Sequence, residues 1–340
     1  MSDRDKIISA FLADAGWGGI KRTLVAGDAS NRRYERLAKS PQATVILMDA
    51  PAEKGEDVGP FLEITNHLRS VGLSAPEIFA DDQKNGLLLI EDLGDDLFAR
   101  VIEKNASLAT PLYEASVDVL LHLHQSKAPD LPRYDADVMT ERAALAFDWY
   151  QRGTQGSVDQ GAKAAFETEF HALLAPLDAD ATVLIQRDYH AENLIWLPAR
   201  SGVQRVGLLD YQDAMLGHPA YDLMSIVQDA RRDVHADTGD MMIKRYVTAA
   251  GCDAGMFHAA FALLGVQRNM RILGVFARLS MHYGKPHYVD LIPRVWGHIN
   301  INLNHPSLAK IKPLVHETLP TPTPALLQKL KDQCATIPLP

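Results

Sequence analysis

Three residues in this chain have the types and the spacing to do chemistry together. Asp188 ends the run Val183-Leu-Ile-Gln-Arg, and Asn193 follows it by five positions; Asp210 closes a second apolar run, Val206-Gly-Leu-Leu. A carboxylate can accept the proton of an incoming hydroxyl, while an amide oxygen and a second carboxylate hold a divalent metal on phosphate oxygens. An all-oxygen pair suits a hard cation that keeps several of its waters, Mg2+. The set points to phosphoryl transfer, with Asp188 as base and Asn193 and Asp210 as metal ligands, and it implies ATP and Mg2+ as cofactors. Asp213, three residues beyond Asp210, reads equally as a polar support of the metal loop or as a turn residue.

The bulk properties narrow the partners. With 340 residues the chain is long enough for two domains or one large bilobal unit. A net charge of -9 and a pI near 5.8 give no electrostatic reason to expect nucleic acid or an anionic membrane. Cys252 and Cys334 lie far apart without metal-ligand spacing, and read as free thiols in a reducing compartment. The start, Met1-Ser-Asp-Arg-Asp-Lys, lacks a signal-peptide core, and no apolar run approaches the roughly 18 residues of a membrane span. The expected location is the cytoplasm, and the expected partner is a small molecule carrying the accepting hydroxyl.

The elements that must position these residues follow from periodicity. Residues 5–15 place apolar side chains at helical spacing. Thr23-Leu-Val-Ala, Arg32-Arg-Tyr-Glu-Arg-Leu37 and Thr44-Val-Ile-Leu-Met48 read as strands. The turn Gly27-Asp-Ala-Ser-Asn31 between the first two is a plain hairpin or, with small residues baring backbone N–H groups, a phosphate-approaching loop through Asp28 and Ser30. A helix over 61–71 and two more strands, Pro76–Ala80 and Gly86–Ile90, complete this region. After Glu91-Asp-Leu-Gly94 helical periods dominate, at 112–125, 143–151, 161–174, 221–232, 257–280, 289–303 and 324–333. The expected fold is α+β: an antiparallel N-terminal sheet lobe over 1–93 and a larger, mainly helical lobe over 94–340, interrupted by the two catalytic runs.

Asp188-Tyr-His-Ala-Glu-Asn193 resembles the Asp-x-His-x-x-Asn core of the aminoglycoside phosphotransferase and choline kinase superfamily, a branch of the protein-kinase-like fold. Leu208-Leu-Asp-Tyr resembles that family's metal-binding segment, and Gly217-His-Pro-Ala-Tyr-Asp-Leu223 its next signature. The resemblance implies that Asp222 buttresses the catalytic loop and that His190 anchors it by hydrogen bonds. It also implies that Glu91-Asp-Leu-Gly94 forms an interlobe hinge whose main chain, at Glu91 and Leu93, pairs with adenine. A narrower resemblance lies in Gly27-Asp-Ala-Ser-Asn-Arg-Arg-Tyr34, Val45-Ile-Leu-Met-Asp-Ala-Pro51 and Asn269-Met-Arg-Ile-Leu-Gly-Val-Phe-Ala-Arg278. These are similar to bacterial anomeric sugar kinases that phosphorylate N-acetylmuramate and N-acetylglucosamine at the C1 hydroxyl in peptidoglycan recycling. They imply an amino-sugar acceptor.

Two departures from the superfamily pattern stand out. The third strand usually carries a lysine for the α- and β-phosphates, and this chain has Met48 there. The charge could come instead from Arg32, Arg33 or Arg36, or these could be solvated strand residues. Glu63, on the helix that normally pairs with the lysine, then lacks its partner. Position 186 is glutamine rather than histidine, which can still hydrogen-bond the backbone. Arg268, Arg271 and Arg278 recur at i, i+3 and i+10, either as a solvated stripe or as a cationic surface for an acceptor carboxylate. Competing readings are an aminoglycoside or choline kinase, which needs an acidic acceptor site, and a nucleotide-binding pseudokinase, motivated by Met48. Retention of Asp188, Asn193 and Asp210 together weighs against the latter.

Overall fold

The structure is a computed structural model that describes residues 3–27 and 31–338. Asp28 and Ser30 therefore lie outside the described residues. The chain forms two compact units, Met1–Ser126 with Ala191–Ala214, and Lys127–His190 with Met215–Pro340. The fold is α+β, an antiparallel N-terminal sheet followed by a mostly helical remainder. The unit boundaries fall later than the change of period at residue 94, because the helices just after it and the segment 191–214 pack with the sheet unit.

In the first unit, helix α1 (Asp3–Asp14) precedes strands β1 (Arg22–Gly27), β2 (Arg33–Ser40) and β3 (Ala43–Asp49); helix α2 (Gly59–Ser70) leads to β4 (Ile78–Asp82) and β5 (Leu87–Glu91). The sheet order is β1-β2-β3-β5-β4, antiparallel throughout. Strand alternation gives the sheet two different faces. Leu37, Val45, Leu47, Leu87 and Leu89 point to one side and form a core with Ile8, Phe11 and Leu12 of α1. Each such side chain contributes about 1.5–3 kcal/mol by leaving water. Arg33, Glu35 and Asp49 share the parity of that face; Asp49 accepts from Arg4 of α1, and Glu35 pairs with Arg22 and Arg33. Tyr34, Arg36, Ile46, Met48, Leu88 and Ile90 have the opposite parity, with Tyr34 directly across from Met48 and Arg36 across from Ile46. Helices α3 (Phe98–Lys104) and α4 (Ala109–His124) follow, α3 and α1 being short amphipathic pieces held by packing more than by propensity.

The second unit holds α5 (Ala136–Leu145), which runs on through a wide π-turn over Ala146–Gln151 into α6 (Arg152–Gln155), then α7 (Gln160–Leu174). Strand β6 (Val183–Ile185) belongs to this unit, while β7 (Leu194–Trp196) and β8 (Val206–Leu208) belong to the first. The two apolar runs that lead to the candidate site residues are strands, as their composition predicts, but they do not pair with each other. β6 pairs with β9 (Met215–Gly217), and β7 with β8. Helices α8 (Ala220–Val227), α9 (Ala236–Ala250), α10 (Ala254–Met281), α11 (Ile292–Leu303), α12 (Ile311–Thr318) and α13 (Pro324–Asp332) complete the unit. The 28-residue α10 is buried over most of its length, so its arginines are not a solvated stripe. Its Gly274 lies so close to α5 that a Cβ there would sit 2.3 Å from the Leu145 carbonyl. A buried amide network ties α8's C-cap to α10 and α11: Asn269 and Asn302 both donate to the Gln228 side-chain oxygen at 2.8 Å. No helix of the described residues is long and apolar enough to cross a membrane.

Candidate active site

The candidate catalytic loop begins where β6 ends. The buried carboxylate of Asp222, on α8, accepts the backbone N–H of Gln186 at 2.6 Å and of Arg187 at 3.0 Å. Arg187 has φ +71°, a left-handed conformation costly for a non-glycine residue, and the Asp222 clamp is what holds it there. Burial pushes the Asp222 carboxyl up to about 7, against the two amide donors and the nearby Arg268. A carboxyl raised in the folded state binds a proton that the unfolded chain has released. Its stability contribution is full below the unfolded carboxylate value and is lost as pH rises through about 7. Replacing Asp222 by asparagine, which can accept only one of the two amides, is expected to destabilise by about 1–3 kcal/mol and to flatten that pH slope. Urea midpoints of both proteins at acid and alkaline pH read this; parallel curves would contradict it.

Clamped in this way, the loop presents Asp188, whose side chain keeps 31% of its exposure. Its Oδ1 lies 3.7 Å from Arg268 Nη2 and 3.9 Å from Arg271 Nη1, both on α10. Burial alone would raise the Asp188 carboxyl; the charges of Arg271 and Arg268 overcome it and hold the group down to about 2. Asp188 is thus an ionised acceptor beside two guanidinium groups. His190 is buried, and burial and Arg231 depress its imidazole to about 3. Its Nε2 faces Arg231 Nη1 at 3.1 Å, which makes it an acceptor there and places its proton on Nδ1. A neutral ring committed in this way is an anchor of the loop.

The metal-binding candidates lie in the first unit. Asn193 and Asp210 come together across the β7–β8 pair, the Asn193 amide 3.4 Å from Asp210 Oδ2, with the Leu209 N–H donating to the Asn193 carbonyl at 3.0 Å. Asp210 is exposed at φ +58°, and Gln212 donates to its other oxygen at 2.9 Å. Two hard oxygen donors on partly or fully exposed side chains, steadied by strained backbone, fit a cation such as Mg2+. Tyr211 points the other way: its ring stacks on Phe61 of α2 at 5.3 Å and its hydroxyl meets buried Thr65 at 2.7 Å. That contact pins the candidate metal loop to α2, and the hint of it in the sequence is an aromatic residue directly after Asp210. Asp213 is exposed, and its charge acts on Arg32.

Residues 21–261 match the phosphotransferase enzyme family (APH). The chain belongs to this family. The phosphotransferase is 39% identical to an N-acetylmuramate/N-acetylglucosamine kinase of Caulobacter vibrioides, over 95% of this chain and 98% of that one. It is 32% identical to a kinase of the same name from Pseudomonas putida, over 92% and 94% of the two chains. Among solved structures it shares the fold of a choline kinase from Streptococcus pneumoniae, with TM-score 0.56, 12% identity, and 88% and 100% of the chains covered. It also shares the fold of an aminoglycoside-3'-phosphotransferase of type VIII, with TM-score 0.54, 16% identity, and 80% and 100% covered. The α+β, protein-kinase-like expectation is met, and the chain is a kinase-type enzyme that takes its phosphoryl group from ATP and acts on a small molecule.

The nucleotide-side candidates sort differently in this phosphotransferase. Glu91 spends its side chain on Arg200, and its backbone N–H donates to the Glu77 carbonyl at 2.7 Å. Leu93 is buried, and among the described residues its main-chain N–H and carbonyl have no hydrogen-bond partner. Met48 is fully buried. Arg33 is exposed and lies 3.1 Å from Glu35, which shares the α1 side of the sheet. Arg36 is clasped by two carboxylates, Asp92 at 2.6 and 2.9 Å and Asp95 at 2.8 and 3.1 Å, tying β2 to the segment after β5.

Proposed function

We propose that this phosphotransferase moves the γ-phosphoryl group of ATP to the anomeric hydroxyl of an N-acetylated amino sugar, N-acetylmuramate or N-acetylglucosamine. The observation that carries the reading is the near full-length identity to kinases named for those two sugars. Asp188 orients the sugar hydroxyl and takes its proton as the O–P bond forms. Asn193 and Asp210 would hold Mg2+, which supplies neutralisation of charge on the β- and γ-phosphate oxygens. Leu93, whose main-chain groups have no partner among the described residues, and Glu91 flank the adenine edge, and residues 1–93 bind the nucleotide while 94–340 carry catalysis and the acceptor. His190 and Asp222 keep the loop in shape, and Asp213 supports the metal loop from outside.

The charges beside Asp188 favour an acceptor that is neutral or anionic. Arg268 and Arg271 flank the base, and Arg278, whose guanidinium is partly depressed by burial and by Arg271 and Arg142, extends the cationic face. A polycationic aminoglycoside or a choline would meet repulsion there, whereas the lactyl carboxylate of N-acetylmuramate would meet attraction. ADP release with Mg-ATP and N-acetylmuramate, N-acetylglucosamine, kanamycin or choline tests this. Turnover is expected with the two N-acetyl sugars, faster kcat/KM for the one bearing a carboxylate, and none with the cations. Turnover of kanamycin or choline without turnover of the sugars would reverse the assignment. ATP binding without any turnover would favour the pseudokinase reading.

A further inference from the structure

We propose that the Arg32–Glu56 pair supplies the phosphate-binding charge that strand β3 lacks at Met48, with the Arg32 guanidinium on the phosphate oxygens of the bound nucleotide. This rests on the ATP-dependent reading above. In kinases the strand-3 lysine reaches the phosphates while a glutamate on the following helix holds it in place. Here the methionine offers no charge, and Glu63 of α2 is exposed on the outward side of its helix.

Three arginines lie near enough in sequence to replace the lysine, and their surroundings separate them. Arg36 donates four hydrogen bonds to Asp92 and Asp95, so two carboxylates already neutralise it. Arg33 lies on the α1 side of the sheet with Glu35, away from Met48. Arg32 differs from both. Its Nε donates to Glu56 Oε2 at 2.7 Å, and both side chains are mostly buried, at 14% and 12% exposure. The other Glu56 oxygen accepts the Asn31 N–H at 3.0 Å, so one carboxylate fixes the entry to β2 against the segment three residues ahead of α2. Arg32 also hydrogen-bonds Tyr34, the residue directly across from Met48, and Tyr34 in turn feels the charge of Asp210. Asp213 acts on Arg32 as well. The guanidinium therefore sits on the Met48 side of the sheet, within the field of the metal loop, held by an acid just before the helix. A planar fork approaches phosphate oxygens at least as well as an ammonium does.

Isothermal titration of the full chain with ATP and with adenosine, in Mg2+ and without sugar, separates this role from a structural one. Arg32→Met is expected to weaken ATP about 10- to 100-fold and to leave adenosine unchanged, the loss of one charge-assisted contact. Arg32→Lys should recover part of the ATP affinity. Glu56→Gln should weaken ATP less than Arg32→Met, because it loosens the cation without removing it. If Arg32→Met does not fold by its thermal midpoint, the Arg32→Lys and Glu56→Gln titrations carry the comparison. ATP affinity within about twofold of wild type in Arg32→Met, or equal losses for ATP and adenosine, would overturn the assignment. A wild-type chain that binds no ATP would overturn it together with the kinase reading, whereas intact sugar phosphorylation beside normal ATP binding in Arg32→Met sinks this inference alone.

Discussion

Replacing Asp188 by asparagine is expected to lower kcat by about 10²–10⁴ while ATP affinity stays within about twofold. Asparagine keeps the shape and one acceptor oxygen but cannot take a proton. The carboxyl is held down to about 2 by Arg271 and Arg268 against its burial, so the wild-type group is ionised far below neutral pH. A base that weak draws the sugar proton only once the oxygen has begun to bond to phosphorus, which suits a loose phosphoryl-transfer transition state. In the proposed reaction its work would be orientation first and proton acceptance late. Single-turnover rates with saturating ATP and sugar read the effect, and a loss under about tenfold would place the base elsewhere.

The second large effect belongs to Arg268. Its side chain is 3% exposed, and its Nε and Nη1 make no hydrogen bond among the described residues. What it does instead is compensate charge: its field lowers the carboxyls of Asp188, Asp222 and Asp229. Asp229 is almost wholly buried, with its Oδ2 3.6 Å from Arg232. Replacing Arg268 by methionine leaves this carboxylate cluster with less buried positive charge, and is expected to cost about 3–5 kcal/mol of stability. The sign with pH follows from the same field. Without Arg268 the Asp188 carboxyl rises toward the usual range, so the acid limb of kcat/KM moves to higher pH. A urea melt and a pH profile of Arg268→Met check both parts; an unchanged melt with an unmoved acid limb would show that Arg268 is not the counter-ion.

Much of the fold was legible because local periodicity and packing agree in it. The five strands of the sheet and helix α2 are found where alternation and helical spacing put them. Helices α3 and α12 escaped because they are short and start without a side-chain cap, whereas α9 was missed although Gly251 closes it in the left-handed conformation. The strands β7 and β9, three residues each, are set by long-range pairing that no local pattern records. In the site, types and spacing made Asp188, Asn193 and Asp210 the candidates, and the structure brings the Asn193 amide within 3.4 Å of Asp210. The partners of those residues were less visible. Arg36 reaches Asp92 and Asp95 across 56 and 59 positions, and Thr65 reaches Tyr211 across 146. Arg268 showed only as one of a helical triplet whose spacing reads first as a solvated stripe, and its burial overturns that reading.

The NMR spectrum of the product made from Mg-ATP and N-acetylmuramate, beside the same incubation with Asp188→Asn, locates both the phosphate and the base. The wild type is expected to form a sugar phosphate whose phosphorus couples to the anomeric proton at C1, nearly absent with the variant. Phosphate on C6 or another hydroxyl, or a product formed as fast by Asp188→Asn, would contradict it.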